Sequence, residues 1–264
     1  MVSAPPPTPG SQTPYLDPSR LQVVTNLCSA LQQPSHPWIG FCLDSKGHLR
    51  GAYPAQQRAL AYVENAVSLG EMLAKRQGSL SKEEVYSLSI TLSSSLLQLS
   101  HTPWLGQSWN KADIIFLRAK DGSGLSVDMK HPYLTREHIS DNTGVIRHNA
   151  HPGNDCSKLL SLGVLLMEID SGQPIENLRL PEDLGPNNEP NELSNLQAAR
   201  RWILEQKNKG DLTFAFYSAI SHCLKCFVDP TASLQNTDFR RTVEEQVLAP
   251  LEEEMNFLLG TTAH

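Results

Sequence analysis

Apolar positions recur at helical spacing along most of this chain, and at a period of two only in its first half. From Ser19 to Leu31, Leu21, Val24, Leu27 and Leu31 share one helical face, and Pro34 ends the pattern. Trp38 to Tyr53 alternates weakly around Asp44-Ser45-Lys46-Gly47, a turn-type cluster that predicts a β-hairpin. Residues 54–77 predict another helical stretch, with Leu69, Met72 and Leu73 on one face. Ser81-Lys82-Glu83-Glu84 is a capping box: the Ser81 hydroxyl takes a free amide at the helix start, and Glu84 reaches back. The helix it opens carries Val85, Leu88, Leu92, Leu96 and Leu99. It ends near His101-Thr102-Pro103-Trp104, because a residue before proline disfavours the α conformation. Asp113-Ile114-Ile115-Phe116-Leu117 and Leu125-Ser126-Val127-Asp128 flank Asp121-Gly122-Ser123-Gly124 and predict a second hairpin.

The second half reads as helices joined by loops. Asn154 or Asp155 caps a helix through Leu159, Leu160, Leu162, Val164, Leu165, Leu166 and Ile169, and Gly172 closes it. That helix is apolar on nearly every side, so it belongs in the middle of the protein, with Gly163 placed for close approach of another element. Pro181 to Asn191 reads as a polar surface loop. Helices follow over Ser194–Asn208, Asp211–Cys226 and Thr237 to about Leu259, the last bent or divided at Pro250. Six of the 18 prolines fall in residues 1–18, which read as a disordered or polyproline leader. Pro6-x-x-Pro9 within it could serve an aromatic-groove domain, although an untethered terminus is the plainer reading. The fold class expected is α+β, predominantly helical, with small β-hairpins.

Composition narrows the function classes. At 264 residues the chain holds one large domain or two small ones. A net charge of -6 argues against a nucleic-acid platform, which shows a basic patch or stripe. The densest apolar run, Leu159 to Ile169, is broken by Ser161, Gly163 and Glu168 and is too short for a membrane span. Five scattered cysteines do not make a disulfide framework. Met1 to Pro7 has neither the basic nor the apolar region of a secretory signal, so a reduced, cytoplasmic setting is expected.

Few short motifs carry chemistry. Cys223-x-x-Cys226 lacks the second pair of a zinc ribbon and lies late in an apolar helix, where buried structural cysteines are the simpler reading. His148, His151 and Asp155 lack a further ligand at characteristic spacing, so no metal is assigned. Gly122-Ser123-Gly124 has no third glycine and opens no helix, which makes it a turn rather than a phosphate loop. The acidic runs Glu244-Glu245 and Glu252-Glu253-Glu254 read as a solvated helix face.

An ordered series rises above this background. It runs from Leu96-Leu97-Gln98-Leu99-Ser100-His101 through Asp113–Leu117 and Val127-Asp128. It continues through Ser161-Leu162-Gly163-Val164-Leu165-Leu166-Met167-Glu168-Ile169 and Gly172-Gln173-Pro174, and ends at Cys223-Leu224 and Asp229-Pro230. The series resembles the C-terminal lobe of a protein kinase. There a helix ending in Leu-His precedes the catalytic loop, a hairpin leads to the metal-binding Asp, and a buried helix anchors the lobe. More narrowly, His101-Thr102-Pro103-Trp104-Leu105, the step from Trp109 to Asp113-Ile114, Arg200-Arg201-Trp202, Asp238-Phe239 and Val247-Leu248-Ala249-Pro250-Leu251 resemble a fungal family of kinase-like domains of unknown function. Members often follow a helical domain of the prion-inhibition and propagation type. The resemblance covers about residues 20–258. It implies a single kinase-like domain over 19–259, with a reduced N-terminal portion (19–77), a C-lobe-like portion (78–259) and a tail (260–264). It also implies a partner domain ahead of the chain, so the sequence is either a short member or an excised piece.

Carried over residue by residue, the resemblance loses the kinase chemistry. With Asp113 at the metal-holding Asn, Gly106-Gln107-Ser108 falls on His-Arg-Asp and Asn110 on the catalytic-loop Lys. Ser108 has no pKa suited to a general base at neutral pH. Asp128 falls on the metal-binding Asp of Asp-Phe-Gly, but Met129-Lys130 replace Phe-Gly, and Lys158 replaces the Asp that opens the buried helix. No glycine-rich loop and no Val-Ala-x-Lys strand precede them. The expectation is a catalytically inactive, pseudokinase-like module that acts by protein contacts in a regulatory role, with no cofactor. The alternative is a residual nucleotide-binding or phosphotransfer enzyme that holds ATP and magnesium through Asp113 and Asp128, in a cleft between hairpin 113–128 and residues 54–77. A third reading is a free-standing all-helical scaffold.

Overall fold

The computed structural model describes residues 23–26, 39–43, 48–54, 61–75, 80–100, 102, 105, 109–121, 124–135, 155–185 and 188–260. The chain divides into two compact units, Met1–Ala61 and Tyr62–His264. In the first, strands β1 (Ile39–Leu43) and β2 (Leu49–Pro54) pair antiparallel, from Ile39 opposite Pro54 to Leu43 opposite Leu49, with a register shift between Gly40 and Cys42. This is the expected first hairpin. The helix expected over Ser19–Leu31 is absent where the chain is described: Val23 bridges Arg50, and Val24 N–H donates to the Leu49 carbonyl at 2.8 Å. Neighbouring β-branched Val23 and Val24 suit the edge of β2 better than a helix.

In the second unit, β3 (Ala61–Ser68) runs into helix α1 (Leu69–Lys75). The helical reading of 54–77 thus holds for Leu69–Lys75 and fails for Ala61–Ser68, where pairing with a neighbouring strand outweighs propensity. Leu69 and Leu73 are buried and Met72 is partly so, on one face as expected. Helix α2 (Lys82–Leu99) opens on the capping box: Ser81 Oγ accepts from Glu84 N–H at 3.2 Å, and Glu84 Oε2 accepts from Ser81 N–H at 2.8 Å. Strands β4 (Ile114–Asp121), β5 (Gly124–Val127) and β6 (Tyr133–Leu134) complete a sheet in which β4 pairs with β3, β5 and β6. Arg118 faces Val127, and Asp121 faces Gly124. That register, if continued, would put Lys130 opposite Ile115. Tyr133 sits there instead, so the chain after Asp128 bulges before β6 resumes the ladder.

Helix α3 (Asp155–Ser171) is the centre of the unit, with Leu159, Leu160, Leu162 through Ile169 all buried. Gly172 closes it at φ 63, a left-handed conformation that glycine adopts without strain. The short helix α4 (Ile175–Leu178) follows, then a 3₁₀ turn at Pro181–Asp183. The stretch expected to be a surface loop is therefore partly anchored: Asp183 is buried and pairs with Arg201 at 2.7 Å. Helices α5 (Glu192–Lys209) and α6 (Phe214–Phe227) pack on α3. Gly163 makes the closest approach possible, because a Cβ there would lie 2.9 Å from Cys223 Cβ. Tyr86 of α2 meets Phe216 of α6 edge to face, with ring centroids 5.1 Å apart.

The last helical segment divides ahead of Pro250. Helix α7 (Thr237–Val243) passes through a π-type turn at Glu244–Leu248 into α8 (Ala249–Leu258). Pro250 has no N–H for the Gln246 carbonyl, and that carbonyl accepts from Ser218 Oγ on α6 at 3.0 Å. Among the described residues, no helix is long and apolar enough to cross a membrane. The fold is α+β, mostly helical with a small antiparallel sheet.

Candidate functional site

The alternative reading needs Asp113 and Asp128 to meet at the second hairpin, and each is bonded within its own turn. Asp113 precedes β4; its Oδ2 accepts from Asn110 N–H at 2.9 Å, and its N–H donates to the Asn110 carbonyl at 3.0 Å. Asn110 is exposed and its Oδ1 accepts from Ala112 N–H at 2.7 Å. The Asp113 carbonyl accepts from Thr135 N–H at 2.8 Å, which ties it to the strand after the bulge. Asp128 follows β5 with its side chain buried. Its Oδ1 accepts from Lys130 N–H at 3.2 Å, and His131 Nδ1 lies 2.9 Å from its Oδ2. Ser108 lies outside the described residues, as do His148 and His151.

The ladder keeps these carboxylates apart. Asp128 N–H donates to the Leu117 carbonyl, four residues along β4 from Asp113. At roughly 3.3 Å per residue that is about 13 Å along the strand. An ion touching both would need oxygens within about 5 Å of each other. Among the described residues, the segment before this hairpin lies against it. β3 pairs directly with β4, and Gly70 N–H of α1 donates to the Lys111 carbonyl at 3.0 Å.

The polar centre of this unit lies on the other side of the Asn110 turn. Glu168 is the one carboxylate in the buried stretch of α3 from Leu159 to Ile169, and it is 1% exposed. Its Oε1 accepts from Ile175 N–H at 2.7 Å and from Lys111 Nζ at 2.5 Å. Lys111 Nζ also reaches Glu176 Oε2, at 2.7 Å. One ammonium therefore ties the turn before β4 to α3 and α4, while its own carbonyl holds α1. Burial pushes the Glu168 carboxyl above the usual range, against the pull of the Lys111 ammonium and the Ile175 N–H. Burial pulls the Lys111 ammonium down, but the two carboxylates outweigh it and hold the group above its ordinary value. This trio was not legible as a site. Its only sequence signal is a glutamate inside an apolar helix, which must find a partner.

Over this trio opens a groove of about 580 Å³, walled by Trp109, Leu160, Val164 and Leu165 and edged by Glu71, Glu176, Arg179, Glu192 and Asn195. Arg179 Nη2 donates to Asn195 Oδ1 at 2.6 Å. Lys158 of α3 is tied to the Trp109 wall: its Nζ donates to the Ser100 carbonyl at 2.7 Å, and its carbonyl accepts from Trp109 Nε1 at 3.3 Å. A smaller cavity of about 350 Å³, between α1 and the end of α3, is lined by Leu69, Met72, Leu73, Val85 and Asp170. Burial, reinforced by Glu254, pushes the Asp170 carboxyl up to about 6.

The remaining candidates are packing residues. Cys223 is fully buried against Gly163, and burial pushes its thiol well up; Cys226 is raised to about 11. Asp155 accepts from Leu234 N–H at 2.8 Å. Among the described residues, no group of three or more histidine, cysteine, aspartate or glutamate side chains is placed to hold a metal.

A family model described as Domain of unknown function (DUF7580) matches residues 11–257. The chain belongs to this family. The matched span contains the hairpin carboxylates, the Lys111–Glu168–Glu176 trio and both cavities, so all of them lie within the family domain. No curated protein matches the chain.

Proposed function

We propose that this family domain is a degenerate protein-kinase-like module that works by protein contacts rather than by phosphoryl transfer, in a regulatory role. The order of elements supports the likeness: α2 ending at Leu99-Ser100, the β4–β5 hairpin, then the buried α3 closed by Gly172. The observation that carries the inactive reading is the use made of Asp113 and Asp128. Phosphoryl transfer rests on positioning and charge stabilisation. Here both carboxylates are engaged with their own turns and stand four residues apart along the ladder. Contact by protein surface is supported by Phe214 and Phe257, 78% and 77% exposed at the adjoining ends of α6 and α8, where Ala215 N–H donates to Glu254 Oε2.

The test is ATP with magnesium or manganese, measured as phosphate release and as thermal stabilisation. A nucleotide present at a hundred times its Kd would add about 2.7 kcal/mol, a shift of several degrees for a unit of this size. The expected result is no turnover and no metal-dependent shift. Turnover that disappears in Asp128→Ala would overturn the reading and install the residual phosphotransferase in its place.

A further inference from the structure

Contact by protein needs a surface with a chemistry, and the groove over Lys111 has one. Its walls are apolar, from Trp109, Val164 and the exposed Ala74. Its four carboxylates outnumber its two cations, Lys111 and Arg179. The Lys111 charge is already met by Glu168 and Glu176. Glu71 and Glu192 remain at the edge; among the described residues the Glu71 carboxylate accepts only from Ser68 N–H, at 3.3 Å, and the Glu192 carboxylate makes no hydrogen bond or ion pair. Apolar walls below an acidic edge match a side chain with a long methylene stem and a cationic head.

We propose that this groove receives an arginine side chain from an extended, basic segment of a partner protein. The proposal rests on the protein-contact reading and names the chemistry of the partner. Arginine fits better than lysine, because its planar fork can meet the Glu192 carboxylate in a bidentate pair while its stem lies on Trp109 and Val164. An anion would face surplus carboxylate at the edge, a lysine already paired with Glu168 and Glu176, and a single guanidinium, Arg179, which donates to Asn195.

The experiment uses the full chain and a short fluorescent arginine–glycine peptide, followed by anisotropy at low and high salt. The structure predicts saturable binding that weakens with salt. Glu192→Arg should weaken it by about tenfold, as expected when an edge charge is reversed rather than removed. Ala74→Trp should weaken it comparably by filling the groove, without any change of charge. Glu253→Arg, on the exposed face of α8, should leave binding within about twofold, since it lies outside the groove. A lysine–glycine peptide should bind more weakly and a glutamate–glycine peptide should not bind. No binding at millimolar peptide would overturn the proposal, as would equal losses from Glu192→Arg and Glu253→Arg, or indifference to both Glu192→Arg and Ala74→Trp. ATP turnover is read separately, so the inactive-module reading can fail while the groove assignment stands, and the reverse.

Discussion

The β4–β5 hairpin and helix α3 both carry acidic side chains and use them in opposite ways. At the hairpin, Asp113 bonds to Asn110 and Asp128 to Lys130 and His131, all within three residues along the chain. In α3, Glu168 reaches Lys111, 57 residues away, and Lys111 goes on to Glu176, 65 residues from it. Local pairing satisfies a turn and changes little elsewhere. Long-range pairing joins elements distant along the chain, and its loss leaves a buried charge. The two carboxylates that could form a metal pair by sequence are bonded within their own turns, while the trio at the groove is held together across elements.

If that contrast holds, substitutions in α3 should cost far more than those in the hairpin. Gly163→Leu should have the largest effect. Its Cβ alone would stand 2.9 Å from Cys223 Cβ, and three further carbons have no room. Overpacking of this kind typically costs about 1–3 kcal/mol and sometimes more; with α6 forced off α3, more than about 3 kcal/mol is expected. Little soluble protein should be recovered, and an unchanged melting temperature would show that α3 is not the centre of the unit.

Lys111→Met should come next, at about 3 kcal/mol, because Glu168 is left buried without its cation. The double variant Lys111→Met, Glu168→Gln should recover most of that loss, since the amide oxygen can still accept from Ile175 N–H and the only carboxylate left of the trio, Glu176, is half-exposed. Equal losses in the single and double variants, by urea denaturation, would mean that Lys111 matters through packing alone.

Asp170, two residues beyond Glu168, sharpens the comparison because no hydrogen bond or ion pair to a described residue meets its charge. In the folded chain its carboxyl titrates at about 6, against 3.8 for an ordinary aspartate, so the native state holds the proton more tightly. The stability contributed by the neutral form is complete below pH about 4 and is lost as pH rises through about 6. Asp170→Asn stays neutral throughout. It should exceed the parent by on the order of 2 kcal/mol at pH 8 and match it at pH 4. A constant difference across that range would assign the effect to shape rather than charge.

The smallest effects belong to the hairpin. Asp113→Ala and Asp128→Ala each remove hydrogen bonds within a turn and should cost about 1 kcal/mol. A loss from either that rivals Lys111→Met would erase the distinction between the two regions.

What the sequence by itself determined were features that depend on near neighbours or on one apolar face. The capping box at Ser81 and Glu84 is complete within four residues, and the turn between β4 and β5 is declared by its glycines. Helix α3 is apolar all round and has only the interior to occupy, and Gly163 within it announces a close approach. Tertiary structure decided the rest. Ala61–Ser68 became a strand because β4 offered its edge, and Val23 and Val24 left the helix their spacing suggested for the edge of β2. Asp113 and Asp128 look paired along the chain, but the register of β4 and β5 separates them. Lys111 gained its role only when α3 and α4 brought two carboxylates to it. Hydrogen bonds and ion pairs between elements depend on register and packing, which local propensity does not encode.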